Sequence, residues 1–140
     1  MLPKVLIIGG AGAQGQAIVK ILSADGLFHS KVLTRDAQSF QARSLAELPN
    51  VTVMEGENDE PTLLLAMKDI GACFVNTNGF GIGEKNEIYW GIRMFELARR
   101  SGVKHFVYSS LDYLGPKTNY DPKFDCMHYQ GKARVSGTSI

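Results

Sequence analysis

Between positions 9 and 15 the chain reads Gly9-Gly10-Ala11-Gly12-Ala13-Gln14-Gly15, which satisfies G-x-G-x-x-G from Gly10 and G-x-x-G-x-x-G from Gly9. Glycines at this spacing meet three steric demands: a sharp turn out of a strand, approach of the backbone to phosphates, and close packing of the next helix. The chemistry expected is anion capture. Amide N–H groups near Ala13 and Gln14 open a helix, lack partners within it, and carry the positive end of its dipole, so they suit a diphosphate. A glycine run alone is weak and also serves a plain βα turn. Its context, directly after the apolar Val5-Leu6-Ile7-Ile8 and before an amphipathic stretch, points to a dinucleotide.

The adenosine end of such a ligand is read at the end of the second strand, here Val32-Leu33-Thr34-Arg35-Asp36. An acidic residue there selects the ribose 2′-hydroxyl of NAD, whereas an arginine accommodates the 2′-phosphate of NADP. Arg35 is the candidate clamp through charge-assisted hydrogen bonds, and Thr34 adds a hydroxyl. Asp36 works against this reading, either by repelling phosphate or by pairing with Arg35, and a solvated surface arginine is the plain alternative. The balance favours NADP(H). After the third strand, Gly56-Glu57-Asn58-Asp59 offers Glu57 as an acceptor for the adenine amino group, although an acidic turn here equally suits capping of the following helix. Asn78, in Asn76-Thr77-Asn78-Gly79 after the fourth strand, falls where the nicotinamide half would run.

The elements that must position these residues follow from alternating apolar runs and helical patterns, the mark of βαβ units. Strands are expected at 5–8, 31–34, 51–54, 72–76 and 104–109. Helices are expected at 14–24, with Ile18, Ile21 and Leu22 on one face; at 39–48; at 61–68, with Leu64 and Met67 inward; and at 84–100, with Ile88, Ile92 and Phe95 toward the core. Right-handed crossovers then give an α/β, Rossmann-like, doubly wound parallel sheet of order 3-2-1-4-5. Positions 111–125 carry Gly115, Pro116, Asn119 and Pro122 and read as an irregular loop. A complete dinucleotide fold usually has a further strand, so positions 1–140 are expected to form one NAD(P)-binding domain incomplete at its C-terminus, with strand five as an open edge.

Composition sets the outer bounds. The chain has 140 residues, 44% hydrophobic and 21% charged, with a formal net charge of +1. That is an ordinary globular balance, with no Lys/Arg stripe for nucleic acid and no apolar run long enough to span a membrane. Cys73 and Cys126 form neither a CxxC nor a metal-ligand pattern, so no metal is expected and a reduced, cytoplasmic location is, with the nucleus as alternative.

Taken together, the glycine turn, Leu33-Thr34-Arg35, the 56–59 turn, Asn78, Tyr108-Ser109-Ser110-Leu111 and His128-Tyr129-Gln130-Gly131-Lys132 resemble the NmrA-like family, from Val5 to about Val135. This family of atypical short-chain dehydrogenase/reductases includes nitrogen-metabolite regulators, an NADPH sensor and biosynthetic oxidoreductases. The resemblance implies NADP(H) held by the glycine turn and Arg35, with adenine near Glu57. It also implies further strands and a small substrate-binding subdomain beyond Lys132. Typical short-chain dehydrogenases space their catalytic Tyr and Lys as Y-x-x-x-K, but here His128 stands four before Lys132. Tyr129 is one residue off, turned away by about 100° on a helix. Residues 136–140 depart from the family pattern, which suggests an intron read-through or a truncated gene.

Hydride transfer to a carbonyl needs a proton donor beside the cofactor. Ser109 or Ser110 could orient the carbonyl, His128 could donate the proton, and Lys132 could hold the nicotinamide ribose and bias a neighbouring pKa. The plainer roles are a strand-end serine that caps a turn and a surface histidine. Cys126 has no resolving partner and reads as inert. Two functions are therefore expected to compete. One is an NADP(H)-dependent oxidoreductase acting on a small carbonyl or enone-like metabolite in a biosynthetic pathway. The other is a non-catalytic NADP(H) sensor with a regulatory protein partner. A homodimer through strand five is compatible with either.

Overall fold

The computed structural model describes residues 1–77 and 79–109, together with Asn119 and Val135. Strands β1 (Lys4–Ile8), β2 (His29–Thr34), β3 (Val51–Glu55), β4 (Ala72–Val75) and β5 (His105–Tyr108) alternate with helices α1 (Ala13–Asp25), α2 (Phe40–Ala46), α3 (Glu60–Ala66) and α4 (Gly79–Arg100). All pairings are parallel and the order is β3-β2-β1-β4-β5, as the crossover rule requires. The α4 span is two helical segments joined at Gly83, whose φ of 81° breaks the regular backbone. This explains why only the part from 84 onward is periodic in sequence.

The period-2 geometry of β1 divides the core. Leu6 and Ile8 face one side and pack with Leu63, Met67, Val75, Met94 and Leu97, under α3 and α4. Val5 and Ile7 face the other and pack with Val19, Val32, Leu45 and Val51, under α1 and α2. A strand buried on both faces must be apolar throughout, which is why 5–8 reads as an unbroken run. The turns are built from local acceptors. Ser39 caps α2 by accepting from the Ala42 N–H, and Asp59 caps α3 by accepting from the Thr62 N–H at 2.8 Å.

Three helix faces differ from the sequence expectation. In α1 the buried line is Gly15, Val19 and Ser23, with Ile18 and Leu22 flanking it, while Ile21 is 68% exposed. In α3 Leu63 is fully buried and Leu64 turns outward. In α4 Ile88, Ile92 and Phe95 are only partly buried, and the core line is Glu87, Gly91, Met94, Leu97 and Ala98. The cause is shared: each helix carries more apolar residues than its buried stripe can hold, so docking against the sheet selects among them. Among the described residues, no helix is long and apolar enough to cross a membrane.

Candidate functional site

The chain reverses its winding direction between β1 and β4, and in open α/β sheets ligands bind outside the carboxyl ends of the strands at such a switch point. The glycine turn lies there. Gly9 adopts φ +80°, and a Cβ on it would stand 2.5 Å from the Asn76 carbonyl oxygen, at the end of β4. A side chain is thus excluded twice, by conformation and by contact. The Gly12 N–H donates to the Gly9 carbonyl at 3.1 Å, closing the turn. Gly15 packs so tightly on Gly9 and Gly10 that a Cβ would collide with the Gly9 oxygen and the Gly10 Cα.

Helix α1 has Gly12 as its N-cap, with no side-chain cap and no acidic residue in its first turn. The first intrahelical bond runs from the Gln16 N–H to the Gly12 carbonyl at 2.9 Å, so the amides of Ala13, Gln14 and Gly15 precede the ladder. Gly12, Ala13 and Gln14 are exposed, while Gln16 ties back to the Ala11 carbonyl at 2.7 Å. An uncapped, open helix start with the positive end of the dipole suits an anion.

Arg35 lies just beyond β2, exposed, and makes no ion pair with any described residue. Asp36 does not pair with it. One Asp36 carboxylate oxygen accepts from the Gln38 N–H at 2.9 Å, an acidic side chain spent on its own turn. Thr34 Oγ1 accepts from the Asp36 N–H at 3.3 Å, so its hydroxyl is also engaged locally. In the acidic turn after β3, capping falls to one residue. Asp59 is the helix cap, and Glu57 is left exposed with no such duty.

Ser109 follows β5 and donates from Oγ to Gln14 Oε1 at 2.7 Å, joining the start of α1 to the edge strand. Asn78, Ser110, Cys126, His128 and Lys132 lie outside the described residues. Three residues that sequence reasoning had not linked meet here. Thr77 donates to Glu87 at 3.0 Å and lies 3.1 Å from the Tyr108 hydroxyl. Glu87 is fully buried. Burial pushes the Tyr108 phenol up to about 12, with the Glu87 charge acting in the same direction and the Thr77 hydroxyl against it. A signal for Glu87 was present: it stands in register with Gly91, Met94 and Ala98 on one helical face, an acid on an otherwise apolar stripe. Thr77 and Tyr108 stood inside motifs read for other residues, and nothing in their spacing linked them to Glu87. The Cys73 thiol is buried in β4 and pushed up to about 12 by that burial, which removes it as a nucleophile.

Known proteins resemble this chain in sequence and in fold. The chain is 38% identical over 114 residues to the NmrA-like family domain-containing oxidoreductase malD of Malbranchea aurantiaca, a match covering 76% of this chain and 34% of that protein. It is 31% identical over 137 residues to an NmrA-like family domain-containing protein of Dictyostelium discoideum, covering 96% and 44%. The chain therefore spans less than half the length of these relatives. The crystal structure of NmrA, a negative transcriptional regulator, in complex with NADP superposes with a TM-score of 0.82 at 21% identity, over 97% of this chain and 41% of that one. The same regulator in complex with NAD gives a TM-score of 0.77 at 20% identity, over 96% and 41%. At such identities these two establish the fold alone. The model of the NmrA-like family matches residues 1–138, and the chain belongs to that family.

Proposed function

We propose that this chain is the NADP(H)-binding domain of an NmrA-like oxidoreductase whose substrate is a small carbonyl or enone-like metabolite of a biosynthetic pathway. The observation that carries the reading is the pairing of an uncapped helix start behind Gly9, Gly10, Gly12 and Gly15 with an exposed Arg35, one strand away, that makes no ion pair among the described residues. The amides of Ala13 and Gln14 would hold the diphosphate, Arg35 and Thr34 the 2′-phosphate, and Glu57 the adenine amino group. Asn78 and Lys132 would serve the nicotinamide ribose. Bound there, the cofactor would supply or accept the hydride; Ser109 would orient the carbonyl and His128 would deliver the proton. The name of the malD relative supports an oxidoreductase, and the NADP-bound neighbour supports the cofactor.

A second reading is a non-catalytic NADP(H) sensor with a regulatory protein partner, in the cytoplasm or the nucleus. Two observations favour it. His128 stands where the catalytic tyrosine would be, and the Ser109 proton is committed to Gln14. In either reading a homodimer would form along β5.

Calorimetric titration of the chain with NADPH and NADH tests the cofactor. NADPH is expected to bind in the micromolar range and to weaken about tenfold or more in Arg35→Ala, the loss of one charge-assisted contact. Equal affinity for NADH would refute NADP selectivity. NADPH oxidation across a panel of carbonyl compounds, with Lys132→Ala as control, separates the two functions, and no turnover on any compound leaves the sensor.

A further inference from the structure

We propose that Glu55, at the end of β3, is a positioning residue for nucleotide selectivity: it anchors the turn at 34–39 so that Arg35 faces the adenosine 2′-phosphate. The proposal rests on the NADP(H) reading and names what makes that selectivity work.

The sheet register sets Glu55 beside Thr34, where β2 ends. The ladder runs one step further, with the Gly56 N–H donating to the Thr34 carbonyl at 2.9 Å. The chain then turns, and every amide from 36 to 39 is spent. The Asp36 N–H goes to Thr34 Oγ1 at 3.3 Å, the Ala37 N–H to Glu55 Oε2 at 2.9 Å, and the Gln38 N–H to Asp36 Oδ1 at 2.9 Å. The Ser39 N–H goes to the Asp36 carbonyl at 3.4 Å.

Two consequences follow. First, positions 36–39 keep no backbone donor for a phosphate, so anion recognition on this turn falls to side chains, to the Arg35 guanidinium with the Thr34 hydroxyl beside it. Second, the acceptors are not equivalent. Asp36 bonds within the turn and would travel with it, and Thr34 ties the turn only to the end of the strand it springs from, whereas Glu55 reaches across from the neighbouring strand, 18 residues away in sequence, and gives the turn a second anchor on the sheet. A flexible arginine on a free turn would lose conformational entropy on binding; a turn already anchored reduces that cost. An acidic residue at a strand end beside the adenosine site could instead accept from a ribose 2′-hydroxyl and favour NADH, and the two roles predict opposite shifts.

The test is calorimetric affinity for NADPH and NADH in the parent, Glu55→Ala, Glu55→Gln, Arg35→Ala and the Arg35→Ala/Glu55→Ala double variant, each checked for its thermal midpoint. Glu55→Ala is expected to weaken NADPH about fivefold, the value of one ordinary hydrogen bond, and to leave NADH within about twofold. Glu55→Gln keeps an acceptor oxygen and is expected to restore the parent ratio. In the Arg35→Ala background Glu55→Ala is expected to add nothing, because a positioning residue acts through the side chain it positions. A parent that prefers NADPH while Glu55→Ala leaves the ratio unchanged, or weakens both nucleotides alike, overturns the Glu55 role and leaves the NADP(H) reading standing. Weaker NADH binding in Glu55→Ala, with NADPH affinity kept, overturns it in favour of direct ribose contact. A parent that binds the two nucleotides equally overturns both.

Discussion

Replacing Gly15 by alanine would put a methyl group where the fold has no room. The added carbon would lie 2.8 Å from the Gly10 carbonyl carbon, and closer still to the Gly10 Cα and the Gly9 oxygen. Ordinary contact begins at 3.4 Å, so the first turn of α1 must retreat by at least 0.6 Å, the difference between the two distances. Backbone atoms cannot swing aside as a side chain can. Overpacking of this kind costs about 1–3 kcal/mol. The better helix propensity of alanine returns about 1 kcal/mol, which leaves a net loss of up to about 2 kcal/mol. For a chain of this size that is a fall in Tm of up to about 7 °C. The retreat also lengthens the hydrogen bonds that the first-turn amides would make to a diphosphate, and losing one charged contact weakens NADPH about tenfold to a hundredfold. Gly12→Ala is the informative partner. Gly12 has φ −76°, and its added carbon would meet only the Gly9 oxygen, at 3.3 Å. The fold should tolerate it with Tm changed by less than about 2 °C, while the methyl occupies the space a diphosphate would need. Differential scanning calorimetry and NADPH titration of both variants decide the matter. If Gly12→Ala binds NADPH as tightly as the parent, the turn does not hold the diphosphate; if Gly15→Ala loses neither stability nor binding, the packing argument fails.

The remaining predictions concern the supports of the site. Tyr108 is pushed from an ordinary value of 10.0 up to about 12, so its contribution to stability is complete below pH 10 and drains away as pH rises toward 12. Denaturant unfolding across that window should show a steeper slope in the parent than in Tyr108→Phe, where the buried Cys73 thiol still contributes in the same direction. Gly91 faces Val135, and a Cβ there would stand 2.6 Å from a Val135 methyl, so Gly91→Ala should destabilise the fold by about 1–3 kcal/mol. A Gly91→Ala/Val135→Ala double variant should recover part of that loss in the same melting assay. Asp59→Ala removes the cap of α3 and should cost about 1 kcal/mol in urea unfolding, with Asp59→Asn near the parent.

Much of this protein is legible one residue at a time. The glycine turn is visible because a positive φ at Gly9 and the approach of Gly15 to its own turn admit a single residue type. The strands and their order follow from apolar runs and right-handed crossovers, rules that hold whatever the side chains do. Arg35 could be singled out by its distance from the turn, and Ser39 and Asp59 announce helix starts by their chemistry.

What the sequence could not disclose is whatever depends on the angle at which one element meets another. Rotating α3 by one residue exchanges Leu64 for Leu63, and both are leucine; Ile21, Leu22 and Ile18 compete in the same way in α1. The spent carboxylate of Asp36, the cross-strand hold of Glu55, the meeting of Thr77 with Glu87 and Tyr108, and the Ser109–Gln14 bond across 95 residues are matters of register and docking. Residue type sets what each group can bond to and how much water it resists. Only the assembled sheet, by bringing strand ends within hydrogen-bonding distance of one another, decides which of those bonds are made.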